Sequence, residues 1–145
     1  MADSKGVRVD KSTFAEMMAH LEASYPNEGA GFLLGETANG VTQVVAALPV
    51  ENRWEPDTQA TRYLLEAKDW MRAEDEADAR SLEVVGIFHS HPDHPPQPSQ
   101  FDLDMALPNL AYLITSVQSG EAKETRAWRL ETARSGFAPE TLETI

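Results

Sequence analysis

The sequence predicts an α/β (α+β) fold in which a curved, mostly antiparallel or mixed β-sheet is flanked by two main helices and a short third one. Three observations predict it. Apolar runs of strand length recur along the chain, notably residues 30–35, 41–50 and 83–88. Asn39-Gly40 and Ser119-Gly120 fall between neighbouring runs, so consecutive strands are joined by hairpins. Two longer stretches, 10–25 and 66–82, carry their apolar residues at helical spacing.

Taken in order, Val7-Arg8-Val9 reads as a short first strand. Asp10, Ser12 and Thr13 are all suited to capping a helix, and Thr13 with Glu16 has capping-box spacing. Phe14, Met17, Met18, Leu21 and Tyr25 then form a core-facing stripe that Pro26-Asn27 ends. Residues 30–35 and 41–50 are strands expected to pair antiparallel across the 36–40 turn. A polar loop over 51–61 carries one conspicuous aromatic, Trp54, and 62–65 reads as a further strand. The 66–82 helix has a thin apolar face of Trp70, Met71, Ala73, Ala77 and Leu82, and its carboxylates read as a solvated surface. After the 83–88 strand, Pro92, Pro95, Pro96 and Pro98 impose a loop, because repeated proline fits neither helix nor sheet interiors. Ser99 is placed to cap a short helix over 99–107. Residues 109–116 and 123–130 are two more strands, and 137–145 adds a last strand or frays.

The length of 145 residues fits one domain, 1–145, able to bury roughly 68–70% of its unfolded surface without a disulfide or structural metal. The chain has no cysteine, which excludes disulfides, thiolate nucleophiles and Cys-based zinc motifs and fits a reducing compartment. Its first ten residues hold no apolar targeting segment, and no apolar run nears the ~20 residues of a membrane span. The expectation is a soluble, cytoplasmic protein without membrane contact. Twenty-four acidic residues against twelve basic give a formal charge of −12, so nucleic acid is not an expected partner. The acidity reads as a device for solubility.

The chemistry concentrates in GIFHSHPDHPPQPSQFDLD, residues 86–104, which holds three of the four histidines. His89 and His91 are two apart at a strand end and so share one face. Two imidazoles on one face make half of a metal site. Asp102 is the next candidate ligand. It lies one turn into the helix that Ser99 opens, and the stiff proline loop can fold that turn back toward the histidines. Two histidines and a carboxylate with a fourth position open form the usual catalytic zinc arrangement. His94 reads as a loop residue or a neighbour of the ligands, although it could close the fourth position, and His20 reads as a surface histidine of the first helix. A hydrolytic site also needs a general base, and no His-Glu-x-x-His is present. Glu28 is the best candidate, flanked by Gly29, Ala30 and Gly31, whose small side chains allow close approach. The glycines at 29, 31 and 35 do not make a dinucleotide fingerprint, since the last is one residue late and the segment runs from helix into strand.

HSHPDHPPQPSQFD is similar to the His-x-His-Pro…Ser-x-x-Asp signature of the JAMM/MPN+ zinc metallopeptidases. YPNEGAGFLLG resembles the segment that supplies that family's catalytic glutamate, and ENRWEPDTQATRYLLEAKD looks like its Asn…Pro…Tyr segment. The resemblance runs from about Val7 to Leu130 and points to the compact prokaryotic type. It implies a cytidine-deaminase-like/MPN fold, one zinc per chain on His89, His91 and Asp102, Glu28 as general base, and Ser99 as donor to the developing oxyanion. It further implies hydrolysis of a peptide or isopeptide bond after the C-terminal Gly-Gly of a ubiquitin-like, sulfur-carrier type protein. Two alternatives stand beside this: a scaffold that binds a ubiquitin-like protein without cutting it, and a zinc amidase acting on small molecules. A deaminase would pair its His-x-Glu with cysteines that this chain lacks. Trp54 and the 51–61 loop are expected to wall the slot for an extended carrier tail.

Overall fold

A computed structural model of the protein describes residues 5–132 and 135–145. The elements in chain order are β1 (Val7–Val9), α1 (Lys11–Ser24), β2 (Ala30–Ala38), β3 (Val41–Val50), a 3-10 turn (Pro56–Thr58), α2 (Ala67–Ala79), β4 (Glu83–Pro92), α3 (Gln100–Met105), β5 (Ala111–Gln118), β6 (Glu121–Leu130), β7 (Phe137–Glu140) and β8 (Leu142–Thr144). No helix among the described residues is long and apolar enough to cross a membrane.

All eight strands form one mixed sheet in the order β7-β6-β5-β4-β2-β3-β1-β8. The β2–β3 and β5–β6 hairpins turn at Asn39-Gly40 and Ser119-Gly120, where both residues take the positive φ that tight hairpin turns require. The pairs β4–β5, β1–β3 and β1–β8 are parallel. Strands β7 and β8 lie on opposite edges yet are separated only by Thr141, so the sheet must curl until its edges approach each other. Arg129 of β6 accordingly reaches Thr42 Oγ1 of β3 at 3.2 Å.

Alternation along the central strands sends side chains into two cores. Leu33, Phe88 and Leu113 face α1 with its Met17 and Leu21. Phe32, Ile87 and Tyr112 face the side of α2, where Ala73 and Trp70 pack.

Several sequence expectations are corrected. Thr13 is not the cap of α1: Asp10 stands at that position, and the buried Thr13 hydroxyl donates to Val45 O because this face of the helix lies on β3. Residues 62–65 form no strand. Their backbone is satisfied instead by Asn52, whose Oδ1 accepts from Leu64 N and whose Nδ2 donates to Arg62 O. Met71 is exposed rather than part of the buried face of α2, whereas Asp69 is buried. His20 is half-buried, with Nε2 3.0 Å from Ala30 O and its ring edge-on to Phe88, so it ties α1 to β2. Helix α3 stops at Met105 because Leu107, preceding Pro108, is steered to extended backbone. The tail forms two strands, one on each sheet edge.

Candidate metal centre and active site

Strand β4 extends past residue 88 to Pro92 because β5 keeps pairing with it: His89 faces Ile114 and His91 faces Ser116. Both histidines therefore sit inside the ladder, held by backbone bonds, with His89 wholly buried and His91 nearly so. Asp102 arrives from α3. Ser99 N donates to its Oδ2 at 2.9 Å, and its backbone N donates to Ser99 Oγ at 3.1 Å, a reciprocal capping box that fixes the carboxylate. One ligand atom from each of His89, His91 and Asp102 lies within 4.8 Å of the others.

The details fit a cation. His91 Nδ1 is 3.0 Å from the Pro95 carbonyl, which can only accept, so the proton sits on Nδ1 and the Nε2 lone pair is left facing inward. That Nε2 lies 3.0 Å from Asp102 Oδ2 and 3.3 Å from His89 Nε2. Asp102 Oδ1, 3.3 Å from His89 Nε2, makes no hydrogen bond. Burial raises the Asp102 pKa, but positive charge placed at the two imidazole nitrogens and the hydrogen bond from Ser99 N outweigh it and hold the carboxyl well below its usual range. Lone pairs facing an ionised carboxylate in a buried pocket repel unless a positive ion lies among them. Two imidazoles and a carboxylate are the donor set of a three-ligand zinc site.

Glu28 approaches from the other side. Ala30 of β2 pairs with His89 of β4, and two residues further along this antiparallel register Glu28 comes beside His91. The approach is locked by Gly29 N donating to Ser90 Oγ at 2.9 Å and Ser90 N donating to Gly29 O at 3.1 Å. Glycine is required here: a Cβ on Gly31 would run into the Phe88 ring and Leu48 O, and one on Gly29 would meet Ser24 Oγ at 2.5 Å. Glu28 is buried, and its Oε1 has no hydrogen-bond partner. Burial, then the Asp102 charge, pushes its carboxyl up to about 9, with Arg62 opposing. Glu28, His91 and Ser99 line one cleft of about 390 Å³. The arrangement gathers a metal donor set, a proton-holding carboxylate and a free hydroxyl donor around one space.

A family model described as prokaryotic homologs of the JAB domain matches residues 10–131. The chain belongs to this family. It is 34% identical over 104 residues to a desampylase of Pyrococcus furiosus, covering 71% of this chain and 66% of that protein. Over 106 residues it is 28% identical to a probable TtuB-protein conjugate cleaving protease of Thermus thermophilus, covering 73% of this chain and 67% of the other. The chain thus spans about two thirds of the length of these curated relatives. A crystal structure of a JAB1/MPN domain protein from Archaeoglobus fulgidus superposes with a TM-score of 0.58 over 95% of this chain and 98% of that one, at 13% identity, a likeness of fold.

Within this JAB domain the structure brings Glu28, His89, His91, Ser99 and Asp102 to one place. His94 is exposed and lines the cleft, but it lies outside the three-residue cluster. Trp54 packs edge-on against Phe101 at 5.4 Å with Nε1 donating to Thr58 Oγ1; the cleft wall on that side is Ala60, Thr61 and Arg62. Two positioning residues escaped the sequence reading. Asn52 Nδ2 donates to both Glu28 O and Arg62 O at 2.9 Å, joining the 51–66 loop to the cleft. The buried Tyr63 ring stacks on His89 at 4.6 Å. Their only signal was the Asn…Pro…Tyr resemblance, which assigns no role by itself.

Proposed function

We propose that this chain is a zinc-dependent peptidase that cuts conjugates of a ubiquitin-like, sulfur-carrier type protein, hydrolysing the peptide or isopeptide bond after its C-terminal Gly-Gly. The observation that carries the reading is the convergence of His89, His91 and Asp102 beside Glu28, a buried carboxylate without a hydrogen-bond partner on Oε1. The relatives named for desampylation and for TtuB-conjugate cleavage support the substrate class. A scaffold that only binds would need neither the donor cluster nor the unsatisfied carboxylate.

One zinc would be held by His89, His91 and Asp102; when bound it would supply Lewis acidity, acidifying water and polarising a carbonyl. The remaining work falls to the chain. Glu28 Oε1 takes the proton of the attacking water and returns it to the departing amine nitrogen. With Asp102 engaged as a ligand, its charge would no longer help hold the Glu28 proton, and the carboxylate would be available as a base. Ser99 Oγ already accepts from Asp102 N, which leaves its O–H to donate to the developing oxyanion. Pro95 O fixes the tautomer of His91, and Tyr63 fixes the plane of His89.

The test is intact-mass analysis of ubiquitin-like proteins extended beyond Gly-Gly, before and after incubation with zinc-loaded protein. The expected product ends at Gly-Gly, its formation stops on chelation and resumes with added zinc. Unchanged substrate, or cleavage indifferent to chelation, overturns the proposal.

A further inference from the structure

Arg62 stands on the cleft wall with Glu28, His91 and Ser99. In this chain acids outnumber bases twenty-four to twelve, and most of the described arginines are taken up by carboxylates. Arg8, Arg53, Arg80, Arg126 and Arg129 each pair with one at 2.7–3.1 Å. Among the described residues Arg62 pairs with none, although it is half-buried at the centre of the chemistry. Among the described arginines the other one without such a pair, Arg72, lies exposed on α2.

Arg62 is also held in place. Its guanidinium carbon sits 4.7 Å above the Phe101 ring, on the helix that carries Asp102. Nη1 donates to Thr61 O at 3.0 Å, and the Arg62 carbonyl is anchored by Asn52. A stacked, planar guanidinium with donors left over is built for an anion, and above all for the two oxygens of a carboxylate.

We propose that Arg62 is a specificity-determining residue whose guanidinium receives a carboxylate that the substrate carries close to the scissile bond. This rests on the hydrolytic reading above and deepens it. Because Arg62 shares one cleft with Glu28 and Ser99, the carboxylate belongs within a residue or two of the reacting carbonyl. Two sources present that chemistry: the free α-carboxylate of a short leaving group, or an Asp or Glu side chain in the carrier tail just before Gly-Gly. A lysine side chain of a folded conjugate brings no carboxylate of the first kind to this point.

The experiment uses zinc-loaded protein and two matched peptide pairs: Gly-Gly-Ala tails as free acid or as amide, and Gly-Gly tails preceded by Glu or by Gln. kcat/KM is measured on wild type, Arg62→Ala and Arg62→Lys. Equilibrium binding of the same peptides is measured on the Glu28→Gln protein with and without Arg62→Ala. In one pair the carboxylate form is favoured on the order of tenfold or more. That preference falls to about one in Arg62→Ala and survives only in part in Arg62→Lys, which keeps the charge but loses the planar fork. The pair that responds names the source. Zinc content and melting temperature of each variant establish that the site is folded. Ratios near one for both pairs in wild type, or a preference that survives Arg62→Ala, overturn the inference. So does an Arg62→Ala effect equal on all peptides with a displaced pH profile, which would place Arg62 in the service of Glu28 alone. If no peptide is cut, the hydrolytic reading fails while the binding ratios still decide Arg62.

Discussion

Asp69 and Glu28 are both buried carboxylates, 3% and 4% exposed, and both residues are bonded to the same 51–66 loop, Asp69 through Arg53 and Glu28 through Asn52. Their surroundings are opposite. Asp69 accepts from Arg53 Nε and Nη2 and from Glu66 N, so each of its oxygens meets a donor. Burial pushes Asp69 up, but the hydrogen bonds from Arg53 and Glu66 N more than offset it, and the carboxyl ends below its usual range. Glu28 is left with Oε1 unpaired and is pushed up to about 9, first by burial and then by Asp102. One carboxylate is satisfied and holds a loop. The other is kept unsatisfied, which costs stability and is useful only if the atom has a proton to move.

The largest effects should come from the cluster next to Glu28. Asp102→Asn or His89→Ala removes one of three ligands; bound metal, measured by elemental analysis, falls far below one per chain and hydrolysis falls to background. Glu28→Gln should separate chemistry from binding. It keeps the metal and the fold while hydrolysis drops on the order of 10³-fold. Hydrolysis retained in that variant would strip Glu28 of its proposed role and leave the contrast with Asp69 without functional meaning.

Asn52 is where the two regions meet. Its amide donates to the carbonyls of Glu28 and Arg62, and its Oδ1 accepts from the backbone nitrogens of Trp54 and Leu64. Asn52→Ala is expected to cost about 2–3 kcal/mol of folding free energy, read by denaturant melts, from four bonds worth about 1 kcal/mol each and partly replaced by water. It should also lower kcat/KM by about tenfold, because the backbone that aims Glu28 loses its anchor. A stability loss with kcat/KM unchanged would show that the loop and the cleft are independent.

How far these features could be read from the chain follows the range of the interactions. The hairpins, α1 and the β4–α3 connection are specified by local signals: Asn39-Gly40, the stripe from Phe14 to Tyr25, and the prolines from Pro92 onward. The His89–His91–Asp102 convergence was legible because strand periodicity, a stiff loop and the Ser99 capping box act over a short span. Glu28 could be nominated from its glycine neighbours, but only the β2–β4 register delivers it to His91. Residues 62–65 misled because Tyr63, Leu64 and Leu65 look like strand residues, and no local pattern shows a distant asparagine taking over their hydrogen bonds. The same blindness applies to Asp69. Among the many acids of α2 nothing in sequence marks the one that turns inward to Arg53.

The smallest effects should distinguish the two carboxylates by pH. Asp69→Ala removes a helix-capping acceptor and an ion pair, but Arg53 is partly exposed and keeps Glu51 and Glu66 beside it, which limits the loss to about 1–2 kcal/mol; kcat/KM per folded molecule should stay within about twofold. The folded pKa of Asp69 lies below its ordinary value of 3.8. Its contribution is therefore complete above that value and is lost as pH falls through the folded pKa, so the melting difference between wild type and Asp69→Ala should be flat at neutral pH and close only in acid. Glu28 acts in the reverse sense in protein stripped of metal. Its folded pKa is raised from 4.5 to about 9, so between those values the folded state keeps a proton that the unfolded chain releases. Stability then falls as pH rises across that window and levels off above it. Glu28→Gln cannot ionise, so its melting temperature should gain on wild type steadily through the same window. Added zinc should flatten that difference, since a cation on Asp102 removes part of what holds the proton on Glu28. A difference that stays flat without metal would mean that Glu28 is as well provided for as Asp69, and that its burial says nothing about a proton in transit.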